Sequence, residues 1–243
     1  MAILDDLKLL VECESPTEDL GACRKVILLA SDIAKNLTGK SAEIFDEQGR
    51  PIFWLGSKSP KIILLTHLDT VWPIGSFNPL WNIEGDIARG PGVFDMKAGF
   101  LQALYAIKDL SLEDIALVAT SDEETGSQTT KEFIKKISIG PKAVLVFEGS
   151  ANGKVKTGRK GTAMYRITVN GKASHAGLEP EKGINATVEI SNQINKIVAL
   201  ENKDLGTTVV PTTLTSGTTS NTVPAAAVLD IDVRSYAISE LII

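Results

Sequence analysis

Four short polar runs carry the side chains with which this sequence could do metal chemistry. Each run follows or lies beside an apolar segment. Together they offer one imidazole and several carboxylates, which are ligands that zinc takes in proteins. Such a set is typical of a hydrolase that binds two zinc ions. The residues are His67 and Asp69 in THLDT, Asp95 in FDMK, Glu123 and Glu124 in SDEETG, and Glu148 in VFEG.

The apolar segments beside these runs predict buried strands at residues 62–65, 115–120 and 143–147. Each segment is short and continuously apolar, as in strands that are covered on both faces. Helices are predicted between them, at residues 96–110 and 129–137. This alternation predicts an α/β domain with a mixed or mostly parallel sheet. Ligands bind beyond the carboxyl ends of such strands, so the polar side chains should converge there.

The first part of the chain predicts a helix and a pair of strands. Ser15-Pro16-Thr17-Glu18 is typical of a helix start, with a polar cap followed by proline and an acid. We expect that helix to end near Leu37. Residues 42–45 and 52–55 look like strands joined by a turn.

The pattern changes near residue 156. Residues 164–169 alternate as a half-buried strand does, residues 183–200 fit a helix, and residues 207–214 and 228–233 fit two further strands. This β-α-β-β order predicts a smaller α+β domain with one open sheet face. We therefore expect two domains, residues 1–155 and 156–243, with the boundary near 153–158.

Each candidate in the first domain has a chemical role and a simpler alternative. Asp69 could accept the second N–H of a metal-binding His67, which would fix the ring, or both could be ordinary loop residues. Asp95 could bridge two ions or cap a helix. One of Glu123 and Glu124 could bind metal while the other faces the attacking water, or both could belong to an acidic surface loop. Glu148 could instead form a structural salt bridge.

Three polar residues are the candidates in the second domain. His175 lies among small residues and could donate to a substrate oxyanion. Arg234 could pair with a carboxylate through two hydrogen bonds. Asn221 is the third. The simpler alternatives are an exposed turn histidine for His175, a surface salt bridge for Arg234 and an ordinary loop residue for Asn221.

Composition narrows the class of protein. The net charge is −5 with no cluster of basic residues, which argues against a nucleic-acid partner. Cys13 and Cys23 have no metal-type spacing and make no disulfide framework. The sequence shows neither a signal-peptide pattern nor a membrane-length apolar run. We therefore expect a cytoplasmic protein that is not bound to a membrane.

The order and spacing of the motifs resemble the co-catalytic zinc family of glutamate carboxypeptidase, acetylornithine deacetylase, succinyl-diaminopimelate desuccinylase and aminoacylase. The chain is most similar to the glutamate carboxypeptidase branch. The resemblance implies a zinc-exopeptidase-like mixed sheet flanked by helices, with a second α+β lid and dimerisation domain that makes a homodimer. The motifs that carry it are THLDTVWP, GPGVFDMKAG, SDEETGS, VFEGS and GKASHAG.

The resemblance also implies a role for each first-domain candidate. His67 and Glu148 would bind one zinc, Glu124 would bind the second, and Asp95 would bridge both. Glu123 would be the general base toward a metal-bridging water and would later protonate the leaving amine. His/carboxylate sites also accept Co²⁺ or Mn²⁺, so the metal identity stays open.

The remaining roles concern orientation and substrate. Asp69 would orient His67. By the same resemblance, His175 would reach the active site of the partner subunit, and Asn221 and Arg234 would hold the substrate carboxylate. The implied function is hydrolysis of an amide bond next to a free amino-acid carboxylate, in a small peptide or an N-acyl amino acid.

The chain departs from this family in one respect. Family members place a last zinc-binding histidine after the lid domain, whereas this sequence contains only His67 and His175. We expect a truncated form of a longer enzyme, incomplete at its C-terminus. The alternatives are an inactive relative that only binds or dimerises, and a site completed by another chain.

Overall fold

A computed structural model describes residues 2–150 and 153–242 in two compact units, Met1–Gly153 and Lys154–Ile243. No helix among the described residues combines the length and apolarity needed to cross a membrane. The helices of the first unit are α1 (Ala2–Glu12), α2 (Leu20–Thr38), α3 (Ala98–Ile107) and α4 (Lys131–Ile137). Its strands are β1 (Glu43–Glu47), β2 (Arg50–Gly56), β3 (Ile62–His67), β4 (Asn82–Glu84), β5 (Ile87–Arg89), β6 (Ile115–Thr120) and β7 (Ala143–Val146).

Five strands of the first unit form one mixed sheet in the order β1-β2-β6-β3-β7. Strands β6, β3 and β7 run parallel, and β1 and β2 are antiparallel additions. His67 lies beside Thr120, and Leu65 lies beside Val146. The carboxyl ends of the three parallel strands therefore meet at one edge. The predicted mixed α/β sheet is confirmed.

Helices cover both faces of this sheet. Residues of α1, α2 and α3 pack in one core with Leu64 and Leu117. Phe133 and Ile137 of α4 pack on the other face, against Ile63. Successive strand residues point to opposite faces, so the central strands need apolar residues at every position. This is why their sequences are continuously apolar.

Strand β7 differs from the prediction because it is an edge strand. It was expected to be buried on both faces, but Leu145 is 46% exposed and Val146 is 58% exposed. Within the described sheet β7 pairs only with β3. The apolar sequence predicts the strand correctly but carries no information on what covers it.

The predicted helix start at Ser15 is wrong. Helix α2 begins at Leu20, and the Asp19 carboxylate caps it by accepting a hydrogen bond from the Ala22 amide at 2.9 Å. Pro16 instead forms an isolated parallel bridge with Thr70, and Thr17 begins a turn. The hydroxyls of Ser15 and Thr17 are used by distant partners, so they do not cap the helix. Helix α1 and the β4–β5 hairpin were not predicted.

The second unit contains β8 (Gly161–Asn170), α5 (Ala186–Val198), β9 (Thr208–Ser216) and β10 (Ala226–Ser235). Its antiparallel sheet has the order β8-β10-β9. Ala186, Ile190 and Ile197 of α5 pack on one face in a separate core. On β8, Met164 points away from that core and is 66% exposed. The predicted β-α-β-β unit with one open face is confirmed.

Candidate metal centre

His67 is the last residue of β3, and its ring is buried, with 1% of the side chain exposed. Nδ1 lies 3.3 Å from Asp69 Oδ1. Nε2 lies 3.0 Å from Asp95 Oδ1, 3.4 Å from Glu148 Oε1 and 3.8 Å from Glu123 Oε2. One ring nitrogen is thus held by a carboxylate, and the other faces several acids. This is the arrangement of a metal-binding histidine whose second nitrogen is fixed by an acid.

Asp95 reaches His67 because the chain is not helical at this point. The predicted helix over residues 96–110 begins only at Ala98, and Asp95 has the extended angles φ −122° and ψ 97°. The turn before it requires glycine: Gly92 has φ +72°, and a Cβ there would lie 2.7 Å from Thr70 Cγ2. The glycine-rich run therefore brings the Asp95 turn close to the end of β3.

Glu123 and Glu124 follow β6 in a short turn, Glu123–Thr125. Both of their backbone amides donate to the Asp69 carboxylate, from Glu123 N to Oδ1 at 3.3 Å and from Glu124 N to Oδ2 at 3.1 Å. Asp69 therefore fixes the turn as well as the His67 ring. Asp69 has no exposed surface. Burial alone would raise the pKa of Asp69, but hydrogen bonds from His67, Thr17 and the Glu124 amide lower it.

The acids form two overlapping groups around His67. One group is His67, Asp95 and Glu124, and the other is His67, Glu123 and Glu148; within each group the ligand atoms lie within 4.8 Å of one another. An imidazole with several carboxylates suits zinc and other divalent ions. The residues therefore fit a metal centre, with His67 the only imidazole that the sequence places in the first unit.

The shifted pKa values of the site residues also favour a bound cation. Burial and the Asp95 charge raise the pKa of Glu124 to about 7. Burial and the charges of Glu148, Asp69 and Asp95 also raise the pKa of Glu123. Burial opposes charging of His67, but hydrogen bonds to Asp69, Asp95 and Glu148 outweigh it and raise the pKa of His67 to about 12. A divalent cation would relieve this crowding of negative charge.

Two buried polar residues that support the site were not identified from the sequence. Lys97 has no exposed surface, and its Nζ donates to Leu10 O at 2.9 Å and Cys13 O at 3.0 Å. It ties the Asp95 turn to the end of α1, and burial lowers its pKa to about 8. Thr17 donates to Asp69 Oδ2 at 2.8 Å. Their partners are distant in sequence, so no local pattern indicates these contacts.

In the second unit, His175 and Asn221 come together. His175 is exposed, and its Nδ1 accepts hydrogen bonds from the amides of Gly177 at 3.1 Å and Leu178 at 3.2 Å. Asn221 O accepts the amide of Ala176 at 2.9 Å, next to His175. The two predicted residues therefore share one corner of the unit.

Arg234 lies at the other end of β10 from that corner. Strand β10 begins at Ala226, and Arg234 is roughly 26 Å further along it at the usual rise of a strand. Its guanidinium makes two hydrogen bonds to Asp232, both 2.9 Å long. The two residues share the open face because they are two positions apart on one strand. The role of Arg234 toward a substrate stays a prediction.

Comparison with known proteins shows which proteins the chain is similar to. Residues 157–241 match the peptidase dimerisation domain family. Carboxypeptidase G2 of a Pseudomonas species is 34% identical over 194 residues, which are 76% of this chain and 46% of that protein. The chain is a homologue of the M20 peptidases. The resemblance predicted from the motifs is confirmed.

Other relatives of this M20 homologue extend the comparison. Acetylornithine deacetylase of Aliivibrio fischeri is 33% identical over 161 residues, which are 61% of this chain and 41% of that protein. Succinyl-diaminopimelate desuccinylase 2 of Shewanella loihica is 32% identical over 172 residues, which are 62% of this chain and 45% of that protein. The chain thus spans about half the length of the curated relatives it matches.

Solved structures show the same fold. A tripeptidase from Staphylococcus aureus has a TM-score of 0.78 at 21% identity, covering 98% of this chain and 66% of that one. An M20 metallo-carboxypeptidase from Sulfolobus solfataricus has a TM-score of 0.68 at 16% identity, covering 95% of this chain and 71% of that one. At these identities the likeness concerns the fold alone.

Proposed function

We propose that this chain belongs to a zinc-dependent hydrolase that cleaves an amide bond next to a free amino-acid carboxylate. The convergence of carboxylates on Nε2 of a buried histidine, at the carboxyl edge of a mixed sheet, is the observation that supports this proposal. The relatives are named as a carboxypeptidase, an acetylornithine deacetylase and a succinyl-diaminopimelate desuccinylase, which supports hydrolysis of an amide bond. The substrate would be a short peptide or an N-acyl amino acid.

His67, Asp95, Glu124 and Glu148 are the residues that would hold zinc. When bound, zinc polarises the scissile carbonyl and lowers the pKa of water. Co²⁺ or Mn²⁺ would suit the same ligands. Asp69 keeps the His67 ring in place through Nδ1, so that Nε2 faces the acids.

We assign Glu123 as the general base. It would take a proton from the attacking water and pass it to the leaving amine nitrogen. Its pKa is raised by burial and by the neighbouring acids, which brings it nearer to neutral pH, where a general base works best. Glu123 and Glu124 each belong to one of the two candidate metal-binding groups. The assignment of Glu123 as the base and Glu124 as the ligand therefore follows from the family resemblance and is part of the proposal.

The second unit would provide the dimer and further substrate contacts. The match of residues 157–241 to a peptidase dimerisation domain supports a homodimer. We propose that His175 steadies the tetrahedral intermediate in the active site of the partner subunit. Asn221 and Arg234 would contribute to binding the substrate carboxylate. Because they lie at opposite ends of β10, the Asn221 and the Arg234 at one such carboxylate would come from different subunits of the dimer.

The test compares Glu123→Gln with Glu124→Gln in the full chain. Loss of a general base should lower kcat about 100-fold or more, while the zinc content of Glu123→Gln stays at the parent value. Glu124→Gln should lower the zinc content instead. The readouts are elemental analysis and hydrolysis of N-acyl amino acids and short peptides. A parent-like kcat in Glu123→Gln would contradict the assignment.

A second candidate function is a binding and dimerisation protein without catalysis. Both metal groups share His67, which favours one complete metal site over two. Zinc stoichiometry of the purified parent separates the two functions. About two zinc ions per chain with hydrolysis supports the enzyme, whereas one or none without hydrolysis supports the second candidate.

A further inference from the structure

The 15–17 segment lies along residues 68–70, which include Asp69, the partner of His67. Thr17 N donates to Thr70 O at 3.1 Å, and Thr70 N donates to Ser15 O at 2.8 Å. The Ser15 hydroxyl donates to Leu68 O at 2.6 Å. Ser15 is 0% exposed and Thr17 is 3% exposed. The segment is therefore held against residues 68–70 by an isolated parallel bridge at Pro16 and by buried hydrogen bonds.

We propose that Thr17 is a positioning residue of the metal centre, which holds the Asp69 carboxylate and through it His67 and the turn Glu123–Thr125. The Thr17 hydroxyl donates to Asp69 Oδ2 at 2.8 Å. This inference rests on the proposed function, because it assigns Thr17 a part in binding the metal.

Each oxygen of the Asp69 carboxylate has its own donors, and Thr17 is one of the two donors to Oδ2. Oδ1 faces His67 Nδ1 at 3.3 Å and the Glu123 amide at 3.3 Å. Oδ2 receives the Thr17 hydroxyl and the Glu124 amide, the latter at 3.1 Å. Without the hydroxyl, Oδ2 keeps a single protein donor among these contacts. On that side the carboxylate would then be held by the Glu124 amide alone, which weakens the geometry that serves both His67 and Glu124.

Arg50 fixes Thr17 from the other side. Its guanidinium donates to the carbonyl oxygen of Thr17 and, at 3.1 Å, to that of Ser121. Ser121 is the first residue after β6, two positions before Glu123. The 15–17 segment is thereby linked to the strand end that carries the acids. Thr17 has no part in capping α2, because Asp19 does this.

The experiment uses the full chain with Thr17→Val, Thr17→Ala and Thr17→Ser. Zinc affinity is measured by competition with a chromophoric chelator, and the visible spectrum of the Co²⁺ form reports ligand geometry. Exchange of the Glu124 amide is measured by NMR on the metal-free protein. The exposed cap variant Asp19→Ala is the control, because it weakens α2 without touching Asp69.

We expect Thr17→Val and Thr17→Ala to bind zinc about tenfold more weakly, the lower end of the loss that is usual when the partner of a metal ligand is changed, because Thr17 acts on His67 through Asp69. Their Co²⁺ spectra should change, and the Glu124 amide should exchange faster. Thr17→Ser keeps the hydroxyl and should behave like the parent. Thr17→Ala removes the same hydroxyl with a smaller side chain, so it provides the comparison if Thr17→Val does not fold.

Two results would overturn the inference. One is parent-like zinc affinity and Glu124 exchange in the folded hydroxyl-free variant. The other is an equal loss in Asp19→Ala, which would indicate general destabilisation. A parent that binds no zinc would overturn the proposed function, while faster Glu124 exchange without the hydroxyl would still support positioning by Thr17.

Discussion

At the residue scale, the candidate metal centre depends on Asp69. This buried carboxylate contacts the His67 ring, the hydroxyl of Thr17 and the amides of Glu123 and Glu124. Buried charges are stable only where they are paired and hydrogen-bonded. One side chain thus orders a strand end, the following turn and the 15–17 segment together.

Replacing Asp69 tests this view. In Asp69→Asn an amide NH₂ takes the place of one acceptor oxygen and would face an existing donor. We expect zinc affinity to fall about 10-fold to 100-fold. The control is Asp46→Asn, which breaks an exposed ion pair with Arg24 and should leave zinc affinity at the parent value. Chelator competition measures both, and equal affinities in the two variants would exclude this role of Asp69.

The raised pKa values predict that zinc binding releases protons. His67, with a pKa of about 12, is charged at pH 7 and must become neutral to bind metal. Glu124, with a pKa of about 7, must also lose its proton. Higher pH removes the competing protons, so zinc affinity should rise from pH 6 to pH 8, about tenfold per pH unit for each proton released.

Calorimetry in two buffers with different ionisation enthalpies measures the number of protons released. We expect at least one proton per zinc at pH 7. A zinc affinity that is constant across this pH range would contradict the assignment of His67 as a ligand.

At the element scale, close approach of α3 to the end of β7 positions Glu148. A Cβ on Gly99 of α3 would lie 2.1 Å from the carbonyl oxygen of Phe147, the residue before Glu148. The contact atom belongs to the backbone, so it cannot move away as a flexible side chain would. Only glycine allows the helix and the strand end to lie this close.

Gly99→Ala should therefore force the two elements apart. We expect it to lower the free energy of unfolding by about 1–3 kcal/mol, as overpacking usually does. Gly158→Ala is the matched control, because a Cβ there meets no atom within 4 Å, and its effect should stay within about 0.5 kcal/mol. Urea denaturation measures both, and a stability of Gly99→Ala equal to that of the control would refute the packing argument.

At the scale of the whole molecule, the chain consists of two units with separate cores. The first core lies between the five-stranded sheet and its helices, and the second lies between α5 and the three-stranded sheet. The candidate metal ligands are all in the first unit, and the peptidase dimerisation domain match is in the second. Damage to the second core should therefore leave metal binding in the first unit intact.

Ile190→Ala tests this separation. Ile190 lies on α5 and is fully buried, and its truncation should destabilise the second unit by about 2–5 kcal/mol. Zinc affinity should not change, because no candidate ligand lies in that core. Val188→Ala on the same helix is the control, since Val188 is 57% exposed. Hydrogen exchange by mass spectrometry locates the loss, and weaker zinc binding in Ile190→Ala would show that the units are coupled.

The sequence by itself determined the elements whose apolar residues follow a local pattern. Continuous apolar runs predicted β3 and β6, alternation predicted β8, and motif order predicted the family. Because the carboxyl ends of parallel strands share one edge, His67, Glu123 and Glu148 could be expected to converge. These inferences succeed because burial on one or both faces of an element constrains neighbouring residues in the chain.

Only the tertiary structure decided the contacts made across long sequence separations. Thr17 and Asp69 are 52 positions apart, and Lys97 reaches the carbonyl of Leu10 across 87 positions. Ser15 and Thr17 have the composition of a helix cap, yet buried partners just after β3 accept hydrogen bonds from their hydroxyls, and Asp19 caps α2 instead. A buried polar group forms hydrogen bonds with whichever partner the fold brings near it, and no local sequence pattern indicates which partner that is.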